Sequence, residues 1–301
     1  MVMHKFVSWM RAEAEQYPGK GRMARWIGRN WARLTYATRI EPTWLELNHL
    51  QIPIANLPPS FAGLRIVQMS DFHGGRQVTP AYLGEAVDLA QAQNPDVVVL
   101  TGDFVHKGFR HVAQVAQVLG RLRSPHGVFA VLGNHDFSVR NSLGIRRHQH
   151  LHQAVSDALQ GQGIRVLQNQ TEVLTRDGHD LYLAGVEDLW SRVCDLERTF
   201  GGLSPDVPRV LLAHNPCTVE HLHGVRCDLI LSGHTHGGQV NLPGVGRLAL
   251  GPRGRRFAAG LYHVENTTLY VNKGIGFGLR IRYGVRPEVA VLTLTPRPSS
   301  S

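Results

Sequence analysis

The chain has 301 residues, 43% hydrophobic and 18% charged, with a formal net charge of +9 and 17 histidines. That balance supports one large or two small folded domains around a sizeable core and excludes a disordered or low-complexity chain. No stretch approaches the roughly 18 uninterrupted apolar residues of a spanning helix, and no apolar core with a cleavage site opens the chain.

Three cysteines, Cys194, Cys217 and Cys227, match neither a disulfide framework nor a zinc ribbon, so reduced thiols and a cytoplasmic location are expected. The positive charge is uneven. Residues 1–40 carry eight Lys/Arg against two Glu, residues 41–246 carry 15 basic against 19 acidic, and residues 247–301 carry nine against two. A mildly acidic body between two basic ends is built to attract an anionic surface or ligand.

In chain order, residues 1–40 form a basic amphipathic segment. A helix over Arg22–Arg39 places Met23, Trp26, Ile27, Trp31 and Leu34 on one face and Arg22, Arg25, Arg29 and Arg33 on the other. Such a helix either lies on an anionic membrane or packs its apolar face on its own domain. Residues 41–295 form the main domain. It opens with two βαβ steps: strand Leu64–Ser70, helix Pro80–Gln93, strand Asp96–Thr101, helix Phe109–Arg123 and strand Gly127–Leu132. A helix at Gln149–Leu159 follows, then strands at Leu181–Val186, Val210–Ala213, Leu229–Leu231, Thr268–Val271 and Val289–Leu294. The strand-rich second half favours a mixed sheet or two stacked sheets, and residues 296–301 (PRPSSS) are expected to be a disordered tail.

The polar motifs share one position. Asp71/His73, Asp103, Asn134/His135, His214 and His234/His236 each follow the C-terminal end of an expected strand, the edge where α/β sheets bind ligands. Carboxylate, imidazole and amide oxygen without thiolate suit a hard or borderline divalent cation such as Mn, Fe or Zn. If the segments are extended, the i, i+2 pairs Asp71/His73 and His234/His236 each project to one locus. Glycines before Asp103, Asn134 and His234 allow sharp turns there. Seven donors exceed one tetrahedral site, whereas two ions sharing a carboxylate use them all.

The order D-x-H, G-D, G-N-H-D, H, G-H-x-H, from Asp71 to His236, resembles the calcineurin-like metallophosphoesterase family. The resemblance implies an α/β (α+β) fold, a four-layer αββα sandwich, with a dinuclear centre of two divalent ions, Mn first among Mn, Fe and Zn. It places Asp71, His73 and His236 on one ion, Asn134, His214 and His234 on the other, and Asp103 on both. His135 is the implied general acid, and hydroxide activated by the metals is the implied nucleophile. Where many members read G-D-x-x-D, this chain has His106 (Gly102-Asp103-Phe104-Val105-His106), which leaves His135 without a carboxylate to orient it. Asp136 is expected to fix its loop rather than bind metal.

Segments Ile40–Glu46, Gly233–Gln239, Gly260–Tyr262 and Leu269–Gly276 resemble a narrower bacterial group similar to UDP-2,3-diacylglucosamine pyrophosphatases and related membrane-associated phosphoesterases. That implies a phosphorylated small molecule or lipid-linked substrate and peripheral attachment to the inner face of a membrane. The C-terminal basic residues Arg247, Arg253, Arg255, Arg256, Lys273, Arg280, Arg282 and Arg286 either grip a phosphate or form a solvated surface. Two other readings stand beside this one. The first is a phosphodiesterase, nuclease or protein phosphatase of the same fold. The second is a metal-binding scaffold without catalysis. Trp26 and Trp31 lie away from the arginines, which argues against nucleic acid.

Overall fold

A computed structural model of the protein describes residues 18–139, 143, 145–242, 244, 246–247 and 250–297. The first seventeen residues of the basic N-terminal segment and the tail from residue 298 lie outside them. The elements in chain order are α1 (Pro18–Thr35), β1 (Glu46–Ile54), β2 (Arg65–Met69), α2 (Pro80–Gln91), β3 (Val97–Thr101), α3 (Val112–Leu119), β4 (Val128–Val131), α4 (Leu151–Gln160), β5 (Arg165–Val166) and β6 (Gln170–Arg176). They continue with β7 (His179–Gly185), α5 (Leu196–Phe200), β8 (Arg209–Leu212), β9 (Leu229–Ser232), α6 (Pro252–Arg256), β10 (Gly260–Val264), β11 (Thr267–Val271) and β12 (Glu288–Pro296).

Two six-stranded mixed sheets form, in the orders β1-β12-β2-β3-β4-β5 and β10-β11-β9-β8-β7-β6. Within them β2, β3 and β4 run parallel, as do β7, β8, β9 and β11. The sequence explains the stacking. β3 is apolar from Val97 to Leu100 because both of its faces are covered. Val98 and Leu100 belong to the same buried cluster as Leu83, Val87 and Val115 of α2 and α3, while Val97 and Val99 share a second cluster with Leu212 and Leu231 of the other sheet. β8 and β9 divide the same way, with Leu211 and Ile230 in a third cluster that also holds Phe200 and Val219. The layers are therefore helices α2–α4, sheet, sheet, and an outer layer made of short α5 and tight helical turns. At roughly 25 cal/mol per Å² of apolar surface buried, the core between the two sheets is a principal source of stability.

The four strands without a counterpart in the sequence reading are β1, β5, β6 and β10, and each is the edge of its sheet. Edge strands are wet on one side and carry mixed residues; β1 even holds Pro53, tolerated where no neighbour needs the N–H. Helix α2 opens as its sequence dictates, with Pro80 in the first turn and the Thr79 hydroxyl accepting from Tyr82 N.

Helix α1 differs from the rest. Met23, Trp26, Ile27, Trp31 and Leu34 are 52–71% exposed, so among the described residues its apolar face does not pack on the domain. No helix among the described residues is long and apolar enough to cross a membrane.

Candidate metal centre

Five loops bring the expected residues together at the C-terminal ends of β2, β3, β4, β8 and β9. One group gathers around His73 and His236. Their Nε2 atoms lie 2.8 Å apart, with Asp71 Oδ1 3.4 Å from His236 Nε2 and Asp103 Oδ2 3.5 Å from His73 Nε2. The second gathers around Asn134 Oδ1, which lies 2.9 Å from His234 Nδ1 and 3.2 Å from His214 Nε2. Asp103 Oδ1 is 3.4 Å from the same His214 nitrogen. Asp103 thus faces both groups, one oxygen to each.

Local folding aims these atoms. Asn134 Nδ2 is committed to the Val139 carbonyl at 2.7 Å, which turns Oδ1 inward. His214 Nδ1 donates to the Thr101 carbonyl at 2.7 Å, which turns Nε2 inward. Asp71 is held by the His234 main-chain N–H at 3.0 Å from both carboxylate oxygens, so one sheet's ligand is pinned by the other's loop.

The extended i, i+2 geometry expected for Asp71/His73 and His234/His236 is not what forms. Asp71, His73, Asp103, His234 and His236 all adopt positive φ, between 46° and 74°. Backbone of that kind costs non-glycine residues on the order of 1–3 kcal/mol each and persists only where the surroundings enforce it. Consequently His234 and His236 do not share a locus; each joins a different group. The preceding glycines also divide in role. Gly102 uses its freedom, at φ +87°, and also lacks room for a Cβ against His214 Nδ1 and the Gly133 main chain; a Cβ on Gly133 would overlap Asp103 and one on Gly233 would overlap Ser70 Oγ and Asp71 Oδ2. The last two are glycine for want of space.

His135 stands beside the groups, its ring centroid 4.6 Å from that of His73. Its main-chain N–H donates to Asp103 Oδ1 at 2.9 Å. Its Nδ1–H donates to the main-chain carbonyl of His106 at 2.9 Å. A carbonyl only accepts, so Nδ1 carries a proton and Nε2 is left for another partner. The histidine at 106 therefore does not leave His135 unoriented, because the backbone of residue 106 holds the ring. Asp136 accepts main-chain N–H bonds from Gly133, Phe104 and Val105, locking the β3 and β4 loops together. Asn215 caps the turn after His214 through Cys217 N.

The electrostatics suit cations. Burial pushes His73 and His236 well below the usual imidazole range and His234 down to about 3, leaving neutral rings with free lone pairs. Burial alone would also lower His214, but the carboxylates of Asp103, Asp71 and Asp188 reverse the effect and hold it well above normal. A proton on His214 thus balances charge that a divalent ion would balance instead. Buried, mutually close oxygens and imidazole nitrogens from seven residues, with no Lys or Arg among the described residues paired to Asp71 or Asp103, fit such ions. Two sets, Asp71/His73/His236 and Asp71/Asp103/His214, each hold donor atoms within 4.8 Å of one another, and His73/His106/His135 do so at the rim.

Two neighbours were not legible as site residues. Trp190 sets its ring edge-on to His234, centroids 4.5 Å apart; it sits in an unremarkable turn, so nothing in sequence marks it. Arg282 belongs to the C-terminal basic residues, but it is fully buried and cannot grip a phosphate. It donates to the carbonyls of Lys273, Gly274, Gly276 and Val285 and comes within 3.5 Å of His236 Nδ1. Lys273 pairs with Glu46 and Glu288, and Arg256 with Glu220; Arg286 donates to the Trp44 and Leu45 carbonyls. Structural partners, rather than a shared anion, occupy these four.

Comparison with known proteins converges on one family. The model of the calcineurin-like phosphoesterase family matches residues 64–238. The uncharacterized metallophosphoesterase YkuE of Bacillus subtilis is 32% identical, over 86% of this chain and 88% of its own. Phosphodiesterase YaeI of Escherichia coli is 32% identical over 86% and 92%. The UDP-2,3-diacylglucosamine pyrophosphatase LpxG of Chlamydia trachomatis is 30% identical over 85% and 94%.

Proposed function

The chain belongs to the calcineurin-like phosphoesterase family and is a hydrolase acting on phosphoester bonds; from that premise we propose a dinuclear enzyme for a phosphodiester or pyrophosphate at a membrane surface. Residues 41–295 are the catalytic unit and residues 1–40 its attachment. Asp71, His73 and His236 hold one divalent ion, Asn134, His214 and His234 the other, and Asp103 joins them. The observation that carries this reading is the Asp103 carboxylate, with one oxygen turned to His73 and the other to His214. Manganese is the first ion to test, and oxygen and imidazole donors without thiolate suit it as they suit Fe and Zn. Bound ions supply Lewis-acid polarisation of phosphate oxygens and a water acidified to react near neutral pH.

The chain's own groups do the rest. His135, fixed through Nδ1 on the His106 carbonyl, presents Nε2 to exchange a proton with the leaving oxygen. The His135 N–H to Asp103 bond keeps that ring in register with the shared carboxylate. Asp136 holds the two loops carrying them at fixed separation.

The lipid-linked substrate is supported by helix α1. Its exposed Trp26, Ile27 and Trp31 and its arginines Arg25, Arg29 and Arg33 suit an anionic interface. The decisive assay compares Mn-reconstituted protein on UDP-2,3-diacylglucosamine and on bis-p-nitrophenyl phosphate, with co-sedimentation on anionic vesicles at low salt. Faster cleavage of the lipid together with vesicle binding is expected. Turnover of the generic diester alone would discard the lipid substrate, and metal-loaded protein inert on both would sink the enzyme.

A further inference from the structure

Helix α1 does not end on a flat surface. Between its last turns and two loop segments lies a cavity of about 470 Å³ whose apolar lining comes from Leu34, Ala37, Val240, Leu242, Ile281 and Tyr283, with Arg33 at its edge. The cavity's loop walls are built rather than incidental. Val240 and Tyr283 pair as a β-bridge. Asn241 N donates to Tyr283 O and Tyr283 N to Gln239 O. The Gln239 amide donates to the carbonyls of Leu279 and Ile281. The helix side is joined to the same wall by Arg282 N donating to Ala37 O.

That wall is also the back of the metal centre. In the segment 281–283, Ile281 and Tyr283 line the groove. Arg282 between them turns inward to the carbonyls around Asp71 and to His236. The other wall begins at Gln239, three residues after His236. The groove therefore lies one backbone layer from the Asp71/His236 group, and its rim at Leu34 continues the exposed stripe of Met23, Ile27 and Trp31 on α1.

We propose that this groove is an acyl-chain site, holding the alkyl chain of an anionic phospho-amphiphile whose headgroup lies at Arg33 on the groove's edge. The occupant follows from charge. Pro18–Thr35 contains five Lys/Arg and no acid, so a second copy of the same helix would be repelled, whereas an anionic amphiphile supplies both the apolar tail and the opposite charge.

The test uses full-length, Mn-loaded protein and n-alkylphosphonates from ethyl to dodecyl, below their micellar concentrations, with affinity read by titration calorimetry. These probes carry a phosphorus–carbon bond and survive a phosphoesterase. Affinity should rise with chain length by up to about four-fold per methylene buried. Leu34→Trp, at a position 54% exposed and so away from the core, fills the groove; Leu242→Glu makes it polar. Each should weaken dodecylphosphonate at least ten-fold and flatten the dependence on chain length. A flat wild-type series overturns the proposal, as does a steep series that both variants retain. A series that becomes steep only after residues 2–17 are removed would give the groove to the chain's own N-terminus and overturn it too. A steep, groove-dependent series in a protein that cleaves no phosphoester would sink the enzymatic reading while leaving the groove.

Discussion

The two halves of the centre are built from the same kinds of residue but are supported differently. In the His214 half, two of the inward-facing side chains are backed by main chain. His214 Nδ1 donates to Thr101 O and Asn134 Nδ2 to Val139 O, so the end of β3 and the loop after β4 fix ring and amide. In the His236 half the backing is a cation. Arg282 faces His236 Nδ1, and His73 Nδ1 is buried without a hydrogen-bond partner. Outer partners that accept a ligand's second N–H raise its basicity and fix its direction. A guanidinium facing that nitrogen works against a nearby metal. The His214 half should therefore hold its ion more tightly, and the His236 half, beside the groove and α1, should hold the more exchangeable and more electrophilic one.

The largest effect expected is from the residue common to both halves. Asp103→Asn should cost both ions and take turnover to background, read as metal content by mass spectrometry beside the diester assay. Retention of one ion with full affinity would mean that the carboxylate is not shared. His135→Ala should come next, lowering kcat by roughly 10²–10⁴-fold with metal content intact. Loss of metal in step with activity would make it a structural residue of the centre.

The legibility of these features in the sequence follows burial. Interior strands such as β3 and β8 have both faces covered, so their residues are forced apolar and the strand announces itself. The edge strands β1, β5, β6 and β10 carry mixed, largely exposed or half-buried residues and show no apolar run. The donors were legible because Asp, His and Asn just past apolar strand ends have few structural reasons to recur five times. Spacing could not give their sorting: read as extended, it put His234 with His236, whereas the family resemblance put them on different ions, and with both at positive φ they stand in opposite halves. Nor could it assign Arg282, which reads like any surface arginine until the folded 273–276 loop wraps its carbonyls around it. The substitution at 106 looked costly only because a side chain was expected to do what a carbonyl does.

Arg282→Lys separates the halves with a smaller change. Lysine keeps the charge but cannot span the Lys273, Gly274 and Gly276 carbonyls as a planar fork does. The loop around Asp71 should loosen, with roughly 10–100-fold weaker affinity at the His236 half, the size usual for an outer-shell change. The tighter step should hold. If both steps weaken alike, Arg282 supports the fold as a whole and the asymmetry argued above is absent.

The last difference is in protons. His214 is held well above the usual imidazole range, so at neutral pH its inward Nε2 carries a proton that an entering ion must displace. Affinity at that half should rise with pH, about ten-fold per unit while one proton is released per ion, and level off once the ring is neutral. In the other half His73 and His236 are already neutral, and Asp71, pushed up to about 6 by burial, is ionised at neutral pH. Its affinity should stay flat near neutrality and fall only on acidification through Asp71. Calorimetric titration of Mn²⁺ in buffers of different ionisation enthalpy counts the protons released in each step. One proton in the tight step and none in the weak step is the expected pattern; the reverse assignment would exchange the two halves, and equal release would remove the distinction between them.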